Sequence, residues 1–117
     1  MPVQDTFAAY CAELLSAVGS VRVKRMFGGH GLYVDDLFIA LVAGETLYLK
    51  ADEQTRPRFE AAGCHAFAYS AKGQEKTMRY WSAPTDAMDS PALMRPWAQL
   101  AIQAALQAKP KPKAKPG

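Results

Sequence analysis

The stretch "RMFGGHGLY", residues 25–33, combines a cation, Arg25, a histidine, His30, and three glycines, Gly28, Gly29 and Gly31, within four positions. Three chemistries follow from those residue types: a glycine loop cradling a phosphate, a reactive imidazole, or a backbone held where a side chain would not fit. A phosphate loop leads a strand into a helix N-terminus, where free N–H groups and the helix dipole meet the anion. Here the glycines lead from strand to strand, and neither GxxxxGK[ST] nor GxGxxG is present. Glycine inside a strand pattern marks a bulge or a close backbone approach, and that reading is preferred. The expectation is that Gly28 or Gly29 has a conformation closed to L-residues or lies against another backbone.

His30 as a general base needs a nucleophile or a second acid within reach. The nearby chain supplies only Asp35 and Asp36, which read as a turn. Cys11, His30, Cys64 and His65 are the soft metal ligands, but they show neither CxxC nor HxxxH spacing. Adjacent Cys64 and His65 point apart if they begin a strand. No metal, cofactor or catalytic residue is therefore expected. Tyr33, Phe38, Tyr48, Phe67, Tyr69, Tyr80 and Trp81 could stack bases on a sheet face. Without a basic–aromatic RNA-binding signature they read as core. Arg25 shares a strand face with Val21 and Phe27, so it requires an acidic or carbonyl partner, and a structural ion pair is the simpler reading.

Charge divides the chain. It has 14 basic and 11 acidic residues, yet four of the lysines, Lys109, Lys111, Lys113 and Lys115, lie in the closing "KPKPKAKPG". Without them the balance is 10 against 11, so residues 1–108 are close to neutral. Residues 109–117 read as a disordered or polyproline-like tail. Its lysines are candidate weak, sequence-independent nucleic-acid contacts, and the plainer reading is a solubilising end. A chain of 117 residues, 50% apolar, is one domain with one core, here residues 1–108. No window approaches a membrane span and no signal peptide opens the chain, so no membrane role is expected. Two cysteines make no disulfide framework and fit reduced thiols in the cytoplasm.

The elements follow from periodicity. Phe7, Tyr10, Cys11, Leu14 and Val18 form one helix face, opened by Asp5 and closed by Gly19. Val21 to Phe27 alternates as a strand that continues through the glycines into "LYV", one long strand bent across two layers. After "DD", the segment 37–43 is apolar at consecutive positions, as in a strand covered on both faces. "LYLKA" is the third strand of an antiparallel meander. Residues 55–63 read as a short helix capped by Thr55, with Pro57 in its first turn and Gly63 ending it. "HAFAYS" and "TMRYWSA" form a hairpin. Ser90 caps a last helix with Pro91 at its first position and Leu93, Trp97, Leu100, Ala101 and Ala104 as its buried stripe. The order is α-β-β-β-α-β-β-α: an α+β domain with an antiparallel sheet packed against helices.

"RMFGGHGLYVDDLFIALVAGETLYLKAD", "TRPRFEAAGCHAFAYSAKG" and "MRYWSAP" together resemble the N-terminal domain of the TfoX/Sxy family over residues 7–105. Arg25, Met26, Phe27, Gly28, Gly29, Gly31, Leu32 and Tyr33 match the family's core motif, whereas His30 stands where the family varies. The resemblance implies an α+β module related to secretion-chaperone-like domains, without recognised catalytic residues. It also implies regulation of natural competence together with the cyclic-AMP receptor protein. Full-length regulators of the family carry a second, helix-hairpin-helix-like domain, in whose place this sequence has the Lys/Pro tail.

Three functions are carried forward: a non-enzymatic regulatory or protein-interaction module with an unknown protein partner, a weak nucleic-acid binder acting through its tail, and an enzyme or small-ligand binder around His30 and the glycines. The first is favoured by the near-neutral body and the lack of a catalytic constellation. If the helices cover only one sheet face, the other apolar face of 37–43 calls for a twofold homodimer.

Overall fold

The computed structural model describes residues 3–26, 29–71 and 74–108, the side chains of 3–5, 26, 68–71 and 74–78 excepted. Phe27, Gly28 and the tail 109–117 with its four lysines lie outside the described residues. The sheet has six antiparallel strands: β1 (Val21–Met26), β2 (Gly29–Val34), β3 (Leu37–Ala43), β4 (Thr46–Lys50), β5 (Ala66–Ala71) and β6 (Gln74–Ser82). Their spatial order is β1-β2-β3-β4-β6-β5. The helices are α1 (Val3–Leu15), α2 (Arg56–Ala61) and α3 (Pro91–Ala108), with 3₁₀ turns at Ser16–Val18 and Thr85–Asp89. The α+β class is as expected.

The strand count is not. The long strand expected over 21–34 is two strands, β1 and β2, paired antiparallel with Met26 opposite Gly29. Pairing Met26 with Gly29 puts the even-numbered residues of β1 on the face of the odd-numbered residues of β2, a change of phase that Gly29 and Gly31, without side chains, do not display in the sequence. The β2–β3 turn at Asp35 and Asp36 is as read. Both residues have positive φ, 50° and 68°, the backbone of a two-residue type I′ hairpin.

A bulge does occur in β3, whereas the described glycines Gly29 and Gly31 pair in regular register. Tyr33 pairs with Phe38 and Leu32 with Ala40, leaving Ile39 as the extra residue. Ile39 and Ala40 are consequently both fully buried. The consecutive apolar residues of 37–43 thus come partly from this bulge and not only from two covered faces.

All three helices pack on one side of the sheet. Cys11, Leu14 and Leu15 of α1, Phe59 of α2, and Met94, Ala98, Ala101 and Ala105 of α3 join Leu32, Val34, Ala40, Val42, Leu47 and Leu49 in one core. Phe59 reaches Trp97 of α3, ring centroids 5.1 Å apart. The buried stripe of α3 matches the expected one in part: Ala101 and Ala104 are inside as read and Trp97 and Leu100 pack against the core, but Met94, Ala98 and Ala105 are inside too and Leu93 is 49% exposed. α1 begins at Val3, ahead of Asp5.

The cap of α2 also differs. The Thr55 hydroxyl accepts the N–H of Asp52, 2.9 Å, and the Asp52 carboxylate accepts the N–H groups of Gln54 and Thr55. This is a reciprocal capping box with Asp52 as the cap and Thr55 three residues inside. At the other end Cys64 N–H donates to the Phe59 carbonyl and Gly63 N–H to that of Glu60, a Schellman closure at Gly63. Ser90 caps α3 as read, its hydroxyl accepting Leu93 N–H at 3.2 Å.

Candidate functional site: the helix-free face of the sheet

Cross-strand partners share a face, so the register sorts the side chains. Leu32 pairs with Ala40, Ala40 with Leu49 and Leu49 with Trp81, and this set faces the helices. The intervening set faces away. Arg22 pairs with Tyr33 and Tyr33 with Phe38; Lys24 lies opposite Gly31, Gly31 opposite Leu41, and Leu41 opposite Tyr48; Lys50 lies opposite Tyr80.

On that helix-free face a row of rings crosses the sheet. Tyr33 and Phe38 are 5.0 Å apart between centroids and Phe38 and Tyr80 5.8 Å. A cation closes each end: the Arg22 guanidinium lies 5.3 Å from the Tyr33 centroid and the Lys50 ammonium 5.0 Å from that of Tyr80. A second group places Tyr48 4.8 Å from Phe67 and 6.0 Å from His65. Tyr33, Phe38, Leu41 and Tyr48 are half-buried, Arg22 and Lys24 exposed. Tyr80 is buried, and that burial, with the neighbouring Tyr33 adding to it, pushes its phenol up to about 12. Burial first, then the positive charge of Arg79, holds the Lys50 ammonium below its usual range.

The other residues singled out in the sequence are dispersed. Leu32 is in the core, and Arg25 and His30 sit opposite one another across β1 and β2 on the helix side. His30 is only 6% exposed and pairs across to Val42. Gly29 lies hard against the backbone of β3, its missing Cβ pointing at the Val42 carbonyl oxygen; this meets the close-approach expectation. Of the aromatics, Tyr33, Phe38, Tyr48, Phe67 and Tyr80 gather on the helix-free face rather than in the helix-covered core, Trp81 packs against that core, and the Tyr69 side chain lies outside the described set.

One cluster had no signal in the sequence. Ser82, 17 residues from His65, accepts the His65 backbone N–H at 3.0 Å and lies 3.3 Å from its Nδ1. The Cys64 thiol also bonds to Ser82, yet burial outweighs that bond and pushes the thiol up. A serine so buried, beside an unactivated thiol, fastens the start of β5 to β6 and is poorly placed to attack a substrate. A hollow of about 280 Å³ beside α2 is lined by Asp52, Glu53, Arg56, Arg79 and Trp81 with Ala51 and Ala66; Asp52 there is engaged in the helix cap. Among the described residues no three His, Cys, Asp or Glu side chains are grouped to hold a metal ion. No described helix is long and apolar enough to cross a membrane.

Residues 13–105 match the TfoX N-terminal domain family. The chain belongs to that family. Two relatives of this TfoX N-terminal domain are DNA transformation protein TfoX1 of Aliivibrio fischeri (strain ATCC 700601 / ES114) and Protein Sxy of Escherichia coli (strain K12). Each is 30% identical over 69 residues, which is 59% of this chain and 33% of the relative. The match thus spans about a third of the relatives' length. Within the TfoX motif, Leu32 builds the core, Gly29 sets the β2–β3 approach and Tyr33 opens the ring row.

The two thiols of this TfoX domain give a testable contrast. Burial pushes Cys11 up to about 12, which leaves it about a thousandfold less thiolate than a free cysteine at neutral pH. A disulfide reagent at pH 8 should modify half-buried Cys64 first and Cys11 only on unfolding. Cys11 and Tyr80 are both protonated when buried, so the unfolded chain loses their protons earlier. Their contribution is complete below about pH 9 and is lost as pH rises from 9 towards 12. Urea midpoints should therefore decline over that window; a flat profile to pH 11 contradicts it.

Proposed function

We propose that this domain is a non-enzymatic regulatory module that acts by contact through the helix-free face, in the control of DNA transformation. The observation that carries the reading is the ring row from Tyr33 to Tyr80 on a sheet face that none of the helices covers. Such a surface supplies large, rigid contact area at low entropic cost. The names of the relatives, DNA transformation protein and Sxy, supply the process. His30, enclosed on the helix side, is not placed to serve a solvent-facing catalytic cleft.

A deletion strain of the native host should lose DNA uptake, read as a fall of about tenfold or more in transformation frequency. The parent gene should restore it and a Tyr33→Ser, Phe38→Ser gene should not. An unchanged frequency on deletion overturns the transformation role; full rescue by the double variant moves the contact to another surface.

A further inference from the structure

We propose that the helix-free face binds single-stranded nucleic acid, stacking bases on Tyr33, Phe38 and Tyr48 and holding phosphates with Arg22, Lys24 and Lys50. The inference rests on the contact reading above and names its partner.

Charge is the first argument. Residues 1–108 are near neutral overall, yet among the described strand residues of this face the ionisable ones that carry charge at neutral pH, Arg22, Lys24 and Lys50, are all cationic. Among the described residues Asp36, from the β2–β3 turn, brings a carboxylate to it, 3.2 Å from the Arg22 guanidinium. Three strand cations against one turn carboxylate leave the face net positive, the footprint of a polyanion. A second copy laid on the same face by a twofold axis would instead oppose like charges.

Ring geometry is the second argument, and it selects the single strand. Tyr33 and Phe38 stand on adjacent strands 5.0 Å apart, and both are only half-buried, so part of each side chain is exposed to solvent. Tyr48 lies two strands from Tyr33, beside Leu41. Partly exposed rings on a sheet can stack only bases that are not already stacked in a duplex. Cations at the row's ends then track the backbone between bases. Arg22 is already over the Tyr33 ring, placed to stack and to pair with a phosphate at once.

Fluorescence anisotropy of the full chain with labelled 15-residue oligothymidine, oligouridine and a duplex of equal length tests this across a salt series. The duplex should bind about tenfold more weakly than the single strands. The two single-stranded arms separate DNA from RNA as the source of the ligand. Arg22→Gln with Lys24→Gln should weaken single-strand binding about tenfold and reduce the log–log salt slope by about 1.4, two contacts at about 0.7 each. Tyr33→Leu with Phe38→Leu keeps apolar cover and should weaken binding about tenfold at an unchanged salt slope. Asp36→Asn retains a residue that tolerates the turn's positive φ and frees Arg22, so it should tighten binding two- to threefold.

A full chain with Lys109, Lys111, Lys113 and Lys115 all changed to Gln should keep most of its single-strand affinity. Loss of binding in that protein, with the sheet variants binding like the parent, overturns the proposal in favour of the tail. Absence of single-strand binding, with transformation still lost in Tyr33→Ser, Phe38→Ser, also overturns it while leaving the contact reading intact. A stable dimer dispersed by the Leu variants, without oligonucleotide binding, assigns the face to a second copy and overturns it likewise.

Discussion

A Gly29→Ala protein should be less stable than the parent by at least about 2 kcal/mol, read as a lower urea midpoint at unchanged slope. A Cβ built on Gly29 would run into the carbonyl oxygen of Val42, with the Val42 carbonyl carbon next at 3.3 Å. The obstacle is backbone near the C-terminal end of β3, so no rotamer change can relieve it. His30, the next residue, pairs with Val42, and moving β3 away would open the pairing that holds β2 in the sheet. Overpacking a core typically costs about 1–3 kcal/mol. With a backbone atom as the neighbour, the upper part of that range applies. A loss below about 0.5 kcal/mol would mean that the two strands separate without penalty and that this motif glycine has another purpose.

Gly29 also shows what the sequence discloses and what it withholds. Three glycines within a strand pattern announced a crowded backbone, and the crowding is present. The same residues did not announce that the chain reverses there, because the change of phase between β1 and β2 falls where Gly29 and Gly31 have no side chain to mark a face. The β2–β3 turn was legible, since two adjacent aspartates tolerate the positive φ values that Asp35 and Asp36 adopt. The Ile39 bulge was not, because an inserted apolar residue in an apolar strand leaves the composition unchanged. For α2, Thr55 looked like the cap because it directly precedes Arg56. The turn tightens three residues earlier on Asp52, and the reciprocal bonds of the pair are visible only in three dimensions.

The candidate site was half legible. Periodicity of two puts Arg22 and Lys24 on one face and Tyr33 two residues from Gly31, but it does not say which face the helices take. That choice depends on distant packing, Phe59 on Trp97 and α1 beside β1 and β2. Aromatics first read as core therefore gather on the open side, whereas Trp81, one residue from Tyr80, joins the helix-covered side. The Cys64–His65–Ser82 cluster needed the β5–β6 pairing to exist at all.

The same ambiguity of phase in α3 yields the second large effect. Substituting Met94 by alanine should destabilise the protein by about 2–5 kcal/mol, whereas Leu93→Ala should cost less than about 0.5 kcal/mol. Both residues are apolar neighbours in one helix, and the sequence permits two overlapping stripes: Leu93, Trp97, Leu100, Ala101 and Ala104, or Met94, Ala98, Ala101 and Ala105. Side-chain size favours the first. The structure places the second at the centre, because alanines at 98, 101 and 105 let the helix settle closely on β3 and β4. Met94 is then fully enclosed and Leu93 half in water. Truncating an enclosed methionine removes the transfer energy of its three atoms beyond Cβ and leaves a cavity, the combination that costs about 2–5 kcal/mol. Truncating Leu93 removes atoms that water already contacts, and alanine's higher helix propensity offsets part of the remainder. Urea denaturation of the two single variants measures both. Equal losses, or a larger one for Leu93, would rotate α3 by one residue and move its alanines off the sheet.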